Sequence, residues 1–132
     1  MRLSPPIPRR PTDLISARTH AIVDLIALPA MLGLAAWAAQ RSKRAAAIIL
    51  ANALIEGTNM AITRFPTGSL LPLISFRQHV RLGQVGGPLF LALGSFVPRV
   101  PPAERGVLIF LGLLPTVLNG LSDISGQPTD AA

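Results

Sequence analysis

The chain has no cysteine and no tyrosine, only two histidines and one tryptophan, and charge on just 14% of its 132 residues. The missing thiols exclude disulfides, iron–sulfur clusters, thiolate zinc sites and cysteine nucleophiles, and leave the redox compartment open. The shortage of charge excludes more. Soluble domains carry charge on about a quarter of their residues, and eighteen charged side chains cannot coat a globule of this size unless part of its surface never meets water. Motifs of catalysis are missing too: there is no G-x-S-x-G, H-E-x-x-H or Walker loop, and Gly83-Gln84-Val85-Gly86-Gly87 lies inside an apolar run rather than between strand and helix. No catalytic residue is assigned, and the expected protein is not an enzyme.

What is present is apolar. Half of the residues are hydrophobic and the mean hydropathy is +0.52. Of the twelve basic residues eleven are Arg, and they punctuate the apolar runs instead of clustering on one soluble face. That pattern belongs to membrane flanks meeting anionic headgroups, not to nucleic-acid binding.

Four runs are long enough to matter. Ser16–Ala39 spans 24 residues, about 36 Å as a helix against a bilayer core of about 30 Å. Ala45–Thr63, Ser75–Pro98 and Gly106–Ser122 follow, joined by short links at 41–44 and 98–105. Links this short make antiparallel hairpins. The middle connection, Arg64–Ile74, is apolar but broken by Pro66, Gly68 and Pro72, and reads as an interfacial segment. Pro29, Pro88 and Pro115 lie inside spans, and Trp37 reads as an interfacial anchor. The glycines of the third run (83, 86, 87 and 94) predict tight packing with little internal volume.

The sequence also matches itself. Residues 14–20 (LISARTH) and 73–79 (LISFRQH) share L-I-S-x-R-x-H at an offset of 59, and Pro29 falls on Pro88. At an offset of 60, Asn59 falls on Asn119 and Thr63 on Asp123. The expected fold is therefore an all-α membrane protein: four transmembrane helices as two parallel-repeated hairpins, related by an approximate two-fold axis along the membrane normal. Residues 13–64 form the first hairpin and 65–123 the second with its interfacial lead-in; 1–12, rich in Pro and Arg, and 124–132 are expected to be disordered tails.

This symmetry puts His20 and His79 at one depth, in the first turns of helices capped by Ser16 and Ser75, the latter with capping-box spacing to Gln78. Asp24 is an i,i+4 partner of His20, while Glu56, Asn59 and Asn119 reach the same side by depth arithmetic. A carboxylate within a span costs about 2.5–3.5 kcal/mol on insertion scales, so Asp24 and Glu56 require a partner, a proton or a function. The layer His20, Asp24, Glu56, Asn59, His79 and Asn119 reads first as a buried polar clasp, second as a ligand site, third as a proton path. Arg18, Arg77 and Arg81 are expected at the interface. A bis-histidine metal or haem b site across the axis is the sharper alternative for the His pair, but five Phe and one Trp are few for a haem cavity, so no metal or cofactor is assigned.

Arg18-x-His20-x-x-x-Asp24 followed by Pro29, and Arg77-x-His79 followed by Pro88, resemble the SPW-repeat family of small bacterial four-helix membrane proteins over residues 14–123. In place of the Ser-Pro-Trp tripeptide stand Leu28-Pro29-Ala30 and Gly87-Pro88-Leu89, and the second acidic position is Gly83. The resemblance implies a four-helix architecture and a bacterial cytoplasmic membrane, and no activity. The expected role is a structural or accessory subunit, partnered by the bilayer and by other membrane subunits or copies of itself. A cofactor, quinone or lipid site on the His layer is the alternative, and proton-coupled transport a second one. Basic residues lean towards the side carrying the termini, which are therefore expected in the cytoplasm.

Overall fold

The structure, a computed structural model, describes residues 6–125. It is all-helical, with α1 (Ala17–Ala39), α2 (Lys43–Ile62), α3 (Phe76–Phe96) and α4 (Pro102–Gly120) and no strand among the described residues. α1 and α2 are long and apolar enough to cross a membrane by length and composition; α3 and α4 fall short of that measure. The reason is visible in their residues. α3 opens on Arg77, Gln78, His79, Arg81 and Gln84, and the 19 residues of α4 include Glu104 and Arg105.

The caps fall where the serines do. Ser16, Ser42 and Ser75 each accept the N–H of the residue three further on, and Gln78 completes the capping box by accepting the Ser75 N–H. α4 begins four residues before the expected Gly106, because Pro102 supplies a preset N-terminal φ and Glu104 puts an acidic residue in the first turn. Arg105 is consequently helical, not part of a link, and its guanidinium closes the end of α3 by donating to the carbonyls of Gly94 (3.0 Å), Ser95 (2.7 Å) and Val97 (2.7 Å). Last-turn carbonyls have no partner within their own helix, so a cation there is doubly suited. On the same side the Arg41 guanidinium lies 5.0 Å from the centre of the Trp37 ring.

Packing is concentrated within the hairpins, α1 on α2 and α3 on α4. Gly57 of α2 receives Leu28 of α1, and Gly87, Gly94 and Gly112 set the close approach of α3 to α4. Gly86, by contrast, faces open space. Between the hairpins, residues of α1, α2 and α4 line a mostly apolar pocket of about 100 Å³.

At one end two single parallel bridges join helix starts to helix ends: Ile15 with Ser122, and Ile74 with Thr63. Of the expected disordered tails, 1–5 and 126–132 lie outside the described residues, and the part that is described is fastened. Arg10 gives its backbone N–H (2.7 Å) and its guanidinium (2.8–2.9 Å) to the buried Asp13 carboxylate, and Arg9 pairs with Asp123 at 3.4 Å. The Arg10 backbone N–H, then its side chain, hold the Asp13 carboxyl below its ordinary value of 3.8 against the opposing effect of burial. A carboxylate whose folded pKa is depressed stabilises the closed form fully above its unfolded value and stops doing so as pH falls through the folded one. Amide protection at Leu14, Ile15 and Asp123, corrected for intrinsic exchange, should therefore hold above about pH 4 and fall below it. Asp13→Asn should reproduce the loosened state at neutral pH; protection that ignores both changes would contradict this role for Asp13.

Candidate functional site

His20 and His79, fully buried at 0% and 1% exposure, meet at the bridged end with their Nε2 atoms 3.1 Å apart. Each is held from behind by a hydroxyl on the end of the other hairpin's second helix or of the preceding one. His20 Nδ1 lies 2.6 Å from Ser122 Oγ, and His79 Nδ1 lies 2.9 Å from Thr63 Oγ1. The two hydroxyls do the same second job: Ser122 donates to the Leu118 carbonyl and Thr63 to the Asn59 carbonyl, both in the last turns of their helices. The spatial counterpart of Thr63 is therefore Ser122, 59 residues on, and not Asp123 as the offset of 60 suggested.

Phe65 and Phe76 pack around the imidazoles, Phe76 edge-on to His20 at 5.2 Å and Phe65 edge-on to His79 at 5.2 Å. They form a collar around two ring nitrogens that stand 3.1 Å apart.

Asp24 completes the group. Although a full turn deeper on α1, its Oδ2 reaches back to 3.5 Å from His20 Nε2 and 3.2 Å from His79 Nε2, because helical side chains lean towards the N-terminus. In neither direction does hydrogen-bond geometry result, and Oδ2 is a buried atom without a hydrogen-bond partner.

The rest of the expected layer divides. Glu56 and Asp24 line the cavity between the hairpins, with Met31, Asn52 and Met60. Asn59 and Glu56 line a shallower groove between α2 and α3 beside Gly83 and Gly86. Asn119 donates to the Pro115 carbonyl at 2.7 Å and packs so closely on Gly83 that a Cβ there would lie 2.2 Å from its Nδ2. Its side chain thus fills the place next to the missing second acid instead of joining the histidines. Arg18 is exposed at the start of α1, Arg77 is only partly exposed, and Arg81 is exposed on α3.

Sequence reasoning missed the roles of Ser122 and Thr63. The signal was present, since both are hydroxyl residues one or two positions past a helix end, at the offset already set by the histidines. No protein-family model, curated protein or solved structure matches the chain.

Proposed function

We propose that the protein is a four-span integral membrane protein, a hairpin used twice about an approximate two-fold axis, that serves as a non-enzymatic structural or accessory subunit of a membrane assembly. The observation that carries this reading is the exposed apolar surface. Large hydrophobic side chains stand free on all four helices, among them Leu25, Ile55, Leu89 and Phe110, and on the connection at Leu70 and Leu73. Soluble monomers rarely expose contiguous apolar patches of more than a few hundred Å², and lipid or neighbouring helices are the surroundings in which such a surface is stable. The polar starts of α3 and α4 then lie in the headgroup zones. The bacterial cytoplasmic membrane, with cytoplasmic termini on the more basic side, is the location that fits the Arg distribution.

Alkaline carbonate extraction of membranes and mass measurement of the detergent-solubilised protein test the reading. The expected result is retention in the membrane pellet and a complex larger than one chain. Release by carbonate, or a lone monomer that brings down no membrane partner, would sink it.

A second reading has its own observation behind it. The Asp24 oxygen beside two buried imidazoles, which has no hydrogen-bond partner among the described residues, favours a ligand on the His layer.

A further inference from the structure

The protons around the two histidines can be counted. Ser122 and Thr63 each own one hydroxyl hydrogen, and each directs it to a last-turn carbonyl that has no other partner within its helix. Towards the imidazoles both hydroxyls can then only accept, so both rings carry their proton on Nδ1. The two Nε2 atoms, 3.1 Å apart, are left as bare lone pairs, with the Asp24 Oδ2 at 3.5 and 3.2 Å. Three acceptors face one another, and among the described residues no donor stands between them. A single added proton would serve one edge of this triangle and leave the third atom bare, whereas a divalent cation satisfies all three at once.

The dimensions suit one. Ligand atoms at about 2.0–2.1 Å from a shared ion stand about 2.9–3.4 Å apart, from octahedral to tetrahedral angles. An ion about 2.1 Å from all three atoms here sits about 0.9 Å out of their plane. The Nδ1 bonds to Ser122 and Thr63 are the outer partners that fix tautomer and ring angle in metal-binding histidines. We propose that His20, His79 and Asp24 bind one divalent first-row transition-metal ion between the two hairpins. Imidazole and carboxylate donors favour zinc or iron over calcium or magnesium. Three protein ligands leave a position open, and Asp24 shares a cavity wall with Glu56.

The inference rests on the reading that the His layer holds a ligand. The test uses the full chain without a histidine tag, in detergent, stripped with EDTA and titrated with Zn²⁺. We expect one equivalent bound per chain, a rise in Tm that EDTA reverses, and a loss of affinity of at least about 100-fold in Asp24→Ala and His79→Ala. Thr63→Val, which keeps all three ligands, should lose about 10–100-fold. If the histidine variants do not fold, wild type against Asp24→Ala decides. Wild-type protein that binds no Zn²⁺, or an Asp24→Ala variant that binds it equally well, overturns the proposal. Native mass spectrometry separates the two levels: a bound lipid or quinone without metal overturns the metal and keeps the ligand layer, and an empty layer overturns both.

Discussion

Gly112→Ala is expected to be the most damaging single methyl in the molecule. A Cβ at this position would lie 2.5 Å from Leu91 Cα and 2.6 Å from Leu91 N. Both are backbone atoms of α3, so no rotamer change relieves the clash, and α3 and α4 must move apart along their closest line of contact. The expected cost is about 3 kcal/mol, the upper part of the usual range for overpacking. Gly86→Ala and Gly106→Ala lie on the same two helices with nothing within 4 Å of the new methyl, and there the helix preference for Ala over Gly should leave stability unchanged or raised by up to about 1 kcal/mol. Thermal unfolding of the three variants in one mild detergent makes the comparison. If Gly112→Ala melts with the other two, the close approach of α3 and α4 is not as described.

The second large effect concerns the hydroxyls behind the histidines. Thr63→Val preserves shape but removes the acceptor of a buried imidazole N–H and the donor to the Asn59 carbonyl; Ser122→Ala does the same to His20 and the Leu118 carbonyl. Each should cost about 1–3 kcal/mol in metal-free protein, the penalty for leaving a buried polar group unpaired. The double variant should depart from the sum of the two, because both hydroxyls act on imidazoles in contact with each other. Thr63→Ser and Ser122→Thr keep the hydroxyl and should stay near wild type. A Thr63→Val protein as stable as Thr63→Ser would remove this role.

Much of this arrangement is legible in residue order, and the illegible part has a common cause. Serines ahead of apolar runs locate the starts of α1 and α3, since a side-chain cap acts within three residues, whereas the Ser42 cap of α2 is hidden in a stretch that reads as a link. The L-I-S-x-R-x-H match brings His20 and His79 together for the same local reason, each standing in the first turn after a serine cap. Glycine spacing foretells the α3–α4 contact at Gly87 and Gly94, but not that Gly86 is idle, because the helix rotation is set by its partner. The α4 start is hidden because Glu104 and Arg105 read as link residues, whereas Arg105 has three carbonyls at the end of α3 to hold. Rise per residue alone sets the Asp24 backbone a turn below His20, and the backward lean of its side chain brings its carboxylate level with both imidazoles. Depth alone groups Asn119 with the histidines, and the space beside Gly83 takes its side chain instead.

The two parallel bridges bear on the order of the chain itself. Ile74 beside Thr63 and Ile15 beside Ser122 make equivalent seams, one spanned by the connecting loop and the other closed by hydrogen bonds and the Arg9–Asp123 pair. The two seams are thus alike in their contacts and differ in whether the connecting loop spans them. A rearranged gene encoding α3 and α4 first, then α1 and α2, with the chain opened in the loop at 66–71, would present the same seams and the same histidine pair.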